Sequence, residues 1–393
     1  MRKPYGRKIC VVTGTRADYG LLKPLLAELR DDPAASLQTV VTGMHLAPEF
    51  GLTYRQVEGD GFLIDARVES QLASDTGVGA AKSLGLGVIG MADALARLAP
   101  DILVLLGDRY ETFAAAQAAL LLRLPVAHIA GGDTTEGAFD EALRHAITKM
   151  AALHFVTNEA ARKRVIQLGE DPARVYNFGS PGLDTLRLLE PTTRGALEAE
   201  LGLKLRAKTL LVTYHPVTLE AESASGYAAL LEVLAGLEPE FGFVFTGANA
   251  DPEGRALREL TTAFVAQFPE RARHFPSLGA RYLQLMRHAN VVVGNSSSGL
   301  YEAPSFGVPT VNIGDRQRGR PKADSVFDAA PDAASVRRAL SAALARGVQP
   351  TLNPYGDGHA APKIKAVLTR ADPSALVKKR FHDLPQETVV EGR

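Results

Sequence analysis

The chain has 393 residues, more than one typical domain, and its 44 Lys+Arg balance 44 Asp+Glu, so two domains with no net field are expected. That balance argues against nucleic acid or an anionic membrane as a partner and leaves any anion to be met by local groups. The single Cys10, in the apolar run 9–12, excludes an internal disulfide and reads as an inert buried thiol in a reducing, cytoplasmic setting.

Arg2, Lys3, Arg7 and Lys8 are followed only by the run 9–12, too short for a signal-peptide core. A strand is expected at 8–13, a loop at 14–20, a helix at 21–30 and a strand at 37–42. Further strands are expected at 62–66, 102–106, 126–129, 153–157 and 175–178, with helical patterns between most of them. The apolar stretches 84–98 and 113–124 are broken by Asp93, Arg97, Gln117 and Arg123 and read as too short for a membrane span. The pattern loosens over 181–194, a domain boundary, and then restarts. Strands follow at 209–214, 243–246, 274–275, 290–293 and 309–313, with helices at 226–237, 252–268, 281–287, 299–306, 333–345 and 359–369. Strand and helix alternating in this way predict two α/β, Rossmann-like doubly wound domains facing a central cleft. The expected limits are 1–185, 186–370 and a tail, 371–393, packing back on the first domain, with the helix at 359–369 also expected to cross back onto it.

Charged residues stand directly after two apolar runs. The run 102–106 ends in Gly107-Asp108-Arg109, and the run 125–129 leads through Gly131-Gly132-Asp133 to a helix bearing Asp140, Glu141, Arg144 and His145. In open α/β sheets ligands are handled at such strand ends. Local roles compete: Asp108 as a helix N-cap, Asp140 and Glu141 as charges complementing a helix N-terminus, Arg144 and His145 as partners in surface ion pairs. The loop 14–20, GTRADYG, places Arg16 and Asp18 between a strand and a helix, where a phosphate binds readily, though Asp18 also reads as a cap. It is not GxGxxG, which argues against a nicotinamide-dependent dehydrogenase.

In the second half, His215 ends a strand at Tyr214-His215-Pro216-Val217. Asn295, Ser296, Ser297, Ser298 and Gly299 lie between a strand and a helix as an anion nest, and Glu302 follows where it could accept from ribose hydroxyls. Arg316, Arg318 and Arg320 suit a diphosphate, with a solvated loop as the plain alternative.

Together these motifs resemble the hydrolysing UDP-N-acetylglucosamine 2-epimerase family, which includes enzymes acting on UDP-N,N'-diacetylbacillosamine. The likeness spans about 8–370 and rests on GTRADYG at 14–20, GDR at 107–109, RHAITK at 144–149, GSPGLD at 179–184, HPVT at 215–218, NSSSG at 295–299 with Glu302, and GDRQRGR at 314–320. The resemblance implies a GT-B-type pair of domains, a UDP-sugar substrate, no metal or nicotinamide cofactor, and a homodimer or homotetramer. It implies Asp108 as an acid/base, Asp140 or Glu141 as second carboxylate, and His215 as a catalytic or diphosphate-binding histidine. Arg16, Asp18, Arg109, Arg144, His145, Asn295, Ser296, Ser297, Ser298, Gly299, Glu302 and Arg316 would surround the nucleotide sugar. Several family members carry Glu where this chain has Ala130, so Asp133, Glu136, Asp140 or Glu141 would take over that role, or the substrate differs. The implied products are UDP and a free manno-configured sugar that feeds nonulosonic acid synthesis. A non-hydrolysing epimerase, a GT-B glycosyltransferase and a catalytically inactive nucleotide-sugar sensor are the competing readings.

Overall fold

A computed structural model describes residues 6–74, 76–134, 139–215, 223–247, 254–276, 278–279 and 281–385. The chain divides into two compact units, Met1–Arg187 with Tyr355–Arg393, and Leu188–Pro354. The first boundary falls inside the loosened stretch 181–194, whereas the second lies well before the expected 370.

In the first unit, β1 (Arg7–Thr13), α1 (Arg16–Asp31), β2 (Ala35–Thr42), α2 (Tyr54–Gly59), β3 (Ala66–Val68) and α3 (Gly77–Leu98) precede β4 (Ile102–Leu106). There follow α4 (Tyr110–Leu121), β5 (Val126–Ile129), α5 (Phe139–Met150), β6 (Leu153–Val156), α6 (Glu159–Gln167), β7 (Val175–Asn177) and α7 (Gly182–Arg187). The seven strands form one sheet in the order β3-β2-β1-β4-β5-β6-β7, every pair parallel. Strands buried on both faces read as unbroken apolar runs, which is why they were visible in the sequence. Alternate residues serve opposite faces. Ile9 and Val11 pack with α1, while Cys10 and Val12 join Met91, Leu95 and Ala115 from α3 and α4. Burial pushes the Cys10 thiol up to about 12, so it stays a neutral thiol at physiological pH.

Three expectations change here. The strand expected at 62–66 is Ala66–Val68, and Phe62 instead meets Tyr19 edge-on in the core below α1. The run read at 84–98 belongs to a 22-residue helix, long and apolar enough by length and composition to cross a membrane. It begins earlier because Thr76 Oγ1 accepts the Gly79 N–H, and it lays Met91, Ala94, Leu95 and Leu98 into the core of this unit.

The third change is at the C-terminal end. After the second unit come α14 (Ala360–Arg370) and α15 (Pro373–Val377), which complete the first. The buried Asp184 carboxylate accepts from the Ala360 and Ala361 N–H groups at 3.0 and 2.9 Å, capping α14, and Ala360, Ile364 and Leu368 enter the core beside α1. This explains the GSPGLD segment as a docking site for the chain's own helix. Beyond α15, the Lys379 ammonium donates to the carbonyls of Lys149 and Ala151, both at 2.7 Å, and pairs with Glu170 at 2.6 Å. Burial alone would raise Glu170, but His154, Lys149 and Lys379 together hold it down at about 2.

The second unit comprises α8 (Arg194–Leu201), β8 (Lys208–Thr213), α9 (Ser223–Ala235), β9 (Phe241–Thr246), α10 (Gly254–Gln267), β10 (Ala272–Phe275) and α11 (Arg281–His288). It continues with β11 (Val291–Gly294), α12 (Ser298–Tyr301), β12 (Thr310–Ile313), β13 (Val326–Ala329) and α13 (Ala333–Arg346). The sheet order is β10-β9-β8-β11-β12-β13, again wholly parallel. This is the doubly wound order, so each unit has the expected Rossmann-like class. The edge strand β13 was not anticipated. The helix expected at 299–306 is the short α12 followed by a 3₁₀ turn at Ala303–Phe306, because Pro304 interrupts the ladder.

Candidate functional site

In a doubly wound sheet the strand order reverses at one place, leaving a crevice beyond the carboxyl ends of two strands. Here those places are β1/β4 in the first unit and β8/β11 in the second. Of the residues singled out from the sequence, Arg16, Asp18, Asp108 and Arg109 follow β1 and β4, and His215, residues 295–299 and Glu302 follow β8 and β11; Asp140, Glu141, Arg144 and His145 follow β5, and Arg316 follows β12.

In the first unit, Thr15 caps α1 by accepting the Asp18 N–H at 3.2 Å. Residues 16–20 are therefore helical rather than looped, Asp18 is not the cap, and Arg16 is exposed in the first turn. Burial pushes the Asp18 carboxyl up to about 6; Glu111 and Asp108 add to this, and Thr15 and Arg109 oppose it.

Gly107 turns the chain after β4 with φ at +78°, a conformation that costs other residues a steric penalty. The N-cap of α4 is Arg109, so Asp108 is released from the capping role. Its carboxylate instead accepts from the Arg144 guanidinium, which is 6 % exposed and also donates to the Asp133 carbonyl at 2.7 Å. Arg109 is tied to both oxygens of the buried Glu111 at 3.3 and 3.2 Å, an anchor that the sequence reading did not include. Its only clue was the spacing in Arg109-Tyr110-Glu111.

Asp140 stands one helical turn before Arg144 on α5. Burial raises its carboxyl, Asp108 adds to this, and Arg109 and Arg144 oppose it. Glu141 faces His145 at 3.9 Å, the ion-pair geometry foreseen for those two, while burial lowers His145. Asp133 is held by Thr157 at 3.2 Å and Asn158 at 3.0 Å, which gives its carboxylate an anchoring role. Ala130 adopts φ +62° while donating its N–H to the Phe155 carbonyl at 2.9 Å. Glu136 lies outside the described residues. The result is a cluster of Asp18, Asp108, Glu111 and Asp140 interleaved with Arg109 and Arg144. Carboxyls in unequal surroundings of this kind divide acid from base roles.

In the second unit, the His215 N–H donates to Asn295 Oδ1 at 2.7 Å, and Asn295 Nδ2 donates back to the His215 carbonyl at 2.8 Å. Asn295 is 1 % exposed with both polar atoms of its amide bonded to the His215 backbone, so it braces the two strand ends. Its carbonyl accepts from Arg316 at 3.2 Å and Gln317 at 2.8 Å. Ser298 Oγ donates to Ser296 Oγ at 3.1 Å and is itself 2.6 Å from the Tyr282 hydroxyl, which lies 3.3 Å from Thr213 Oγ1. Tyr282, Thr213 and Gln317 were not foreseen, because their place depends on strand neighbours and not on local pattern. Ser297 opens α12 without a side-chain cap bond. Gly299 serves packing, since a Cβ there would stand 2.5 Å from Thr310 Cγ2. Glu302 Oε2 is buried with no hydrogen-bond partner among the described residues, and burial pushes its carboxyl up to about 7. Burial lowers the Arg316 guanidinium, with Arg320 adding to the effect. Pro216, Val217 and Thr218 lie outside the described residues.

Carboxyls interleaved with arginines beyond β4 and β5, and a hydroxyl-lined turn beyond β11 with a carboxyl oxygen that has no partner among the described residues, lie where doubly wound α/β proteins hold ligands. The sequence model of the UDP-N-acetylglucosamine 2-epimerase family matches residues 27–369, and the chain belongs to that family. It is 41% identical to the GDP/UDP-N,N'-diacetylbacillosamine 2-epimerase (hydrolyzing) of Campylobacter jejuni over 82% of this chain and 84% of that one. Identity to the UDP-N,N'-diacetylbacillosamine 2-epimerase (hydrolyzing) of Legionella pneumophila is 35%, over 90% and 93% of the two chains. In fold it is similar to the UDP-GlcNAc 2-epimerase of Neisseria meningitidis, solved with UDP-GlcNAc bound, with a TM-score of 0.77, 20% identity and coverage of 93% and 100%. The expected fold type and family both hold.

Proposed function

We propose that this chain is a cytoplasmic, hydrolysing UDP-sugar 2-epimerase that releases UDP and a free manno-configured 2-acetamido sugar for nonulosonic acid synthesis. The observation that carries the reading is Asp108 paired with Arg144, one helical turn from Asp140, at the β1/β4 switch point. The two relatives named as hydrolysing favour it over the non-hydrolysing, glycosyltransferase and sensor alternatives. Their names also favour UDP-N,N'-diacetylbacillosamine as substrate.

The C2 proton of an N-acetylhexosamine has no adjacent carbonyl to acidify it. Stretching the C1–O bond first builds oxocarbenium character and acidifies C2–H. His215, Ser296, Ser297 and Arg316 of the second unit stabilise charge growing on the departing diphosphate. A carboxylate, Asp108 or Asp140, takes the C2 proton and leaves a glycal. The second carboxyl then protonates C2 from the opposite face while water adds its oxygen to C1 and gives its proton to the carboxylate so formed, which leaves the opposite C2 configuration.

Incubation in D2O with UDP-N,N'-diacetylbacillosamine, and separately with UDP-N-acetylglucosamine, tests the reading by NMR. Free UDP and deuterium at C2 of a manno-configured sugar are expected; return of the intact nucleotide sugar, or binding without turnover, would overturn it.

Glu302 gives a second expected result. Ribose hydroxyls donate to a carboxylate, so the nucleotide favours ionised Glu302 and lowers its pKa in the complex. Affinity should therefore rise with pH up to about 7, where the free carboxyl titrates, and level off above. Below pH 7 it should fall by up to about tenfold per unit, and Glu302→Gln should remove that dependence. Titration calorimetry with intact UDP-N-acetylglucosamine, on an Asp108→Asn background to prevent turnover, would show it; identical slopes in both proteins would remove Glu302 from the site.

A homodimer is part of the proposal. Leu121 at the end of α4 is 80% exposed, and Val78 and Ile89 on the adjoining α3 are each 65% exposed, apolar surface suited to a second copy. Sedimentation would reveal a monomer if this is wrong.

A further inference from the structure

We propose that His128 is a positioning residue that fixes Asp108 and Arg144 relative to one another; this rests on the catalytic role proposed for Asp108. His128 lies on β5, fully buried, and touches both elements that supply the pair. Its Nε2 is 2.7 Å from the Gly107 carbonyl, immediately before Asp108. Its Nδ1 is 3.2 Å from Thr148 Oγ1, one helical turn beyond Arg144 on α5. The Thr148 hydroxyl is also 3.0 Å from the Arg144 carbonyl.

The hydrogen-bond roles follow from these partners. A carbonyl only accepts, so Nε2 carries the proton and donates to Gly107. Burial lowers the imidazole to about 3, leaving it neutral with Nδ1 as an acceptor, and the single Thr148 hydroxyl proton is shared between Nδ1 and the Arg144 carbonyl. The ring is thus fixed in one tautomer and one orientation. Gly107 is also gripped at its other end, its N–H donating to the Ile129 carbonyl at 3.0 Å. A turn with φ of +78° followed by a catalytic carboxylate is thereby referenced at both peptide groups to β5, and through Thr148 to the helix carrying Arg144. A buried histidine serving only the core would not need to join these two elements. Displacement of a reacting group by about 1 Å costs on the order of 10²-fold in rate, so such a brace bears on turnover more than on binding.

The test compares His128→Phe, which fills the volume without the bonds, with His128→Gln, whose amide reaches towards the Gly107 carbonyl. In the Phe variant kcat should fall about 10²-fold while KM stays within about twofold, and the Gln variant should recover at least about tenfold at equal Tm. Loss of activity in proportion to Tm in both variants, or a Phe variant close to wild type, would overturn the proposal. A second readout needs no turnover: the Asp108 carboxyl ¹³C resonance should move in the Phe variant and return in the Gln variant. An unmoved resonance overturns the positioning role. A wild-type chain that releases no UDP overturns the proposed function, and the resonance still decides the role of His128.

Discussion

Asp108→Asn is expected to lower kcat by about 10³-fold while leaving affinity for the UDP-sugar within about twofold of wild type. The replacement is nearly isosteric, and its amide oxygen still accepts from the Arg144 guanidinium, so the local frame survives. What disappears is a carboxylate able to take and return a proton. A second consequence concerns Asp140. Burial raises its carboxyl and Asp108 contributes to the rise, so removing that negative neighbour should draw the Asp140 pKa down. The acidic limb of the residual pH–rate profile should move to lower pH accordingly. Continuous measurement of UDP release from pH 4.5 to 8.5 reads both effects. Unchanged turnover would make the Asp108–Arg144 pair purely structural.

Gly294→Ala is expected to destabilise the second unit by about 3 kcal/mol or more and to abolish nucleotide binding. Gly294 has φ +139°, and a Cβ there would sit 1.9 Å from the Thr213 carbonyl oxygen. No rotamer relieves this, because the obstacle is backbone. Gly294 pairs with Thr213 across β11 and β8, immediately before Asn295 and one step from Tyr214-His215. Forcing these strand ends apart breaks the reciprocal bonds between Asn295 and His215 and carries Ser296–Ser298 away from Tyr282. Denaturant unfolding with parallel UDP calorimetry would check it; wild-type stability together with wild-type affinity would refute the close approach.

The strands were legible where burial on both faces made them continuous apolar runs, as at Ile102–Leu106 and Val126–Ile129. Position at a strand's carboxyl end was enough to single out Asp108 and His215, whereas Glu302 stood out from its place one turn beyond the NSSSG segment. The sequence misled where a local signal had two physical uses. Thr15-Arg16-Ala17-Asp18 looks like a loop because Asp and Gly frequent loops, yet the threonine hydroxyl starts the helix. Asn295 and Gly299 resemble ligand-binding residues, but strand bracing and contact with Thr310 also use them. The amino-terminal half of α3, rich in glycine, is a weak helix former by propensity, and its packing face is set by α4. Tyr282 acquires its role only from neighbours distant in sequence. The same holds for Asp184, whose partner Ala360 lies 176 residues along the chain.

That last contact sets an order of events during synthesis. The first unit begins at the amino terminus, but its core includes Ile364, Leu368 and Leu376, and its Glu170 pairs with Lys379. A ribosome that has produced 354 residues has therefore delivered all of the second unit and an unfinished first. The second unit is an insertion that can fold while its host waits, with Asp184 uncapped and the α1 face of the sheet only partly covered. The first unit, which holds Asp108 and Asp140, closes only once the segment through Lys379 has been made.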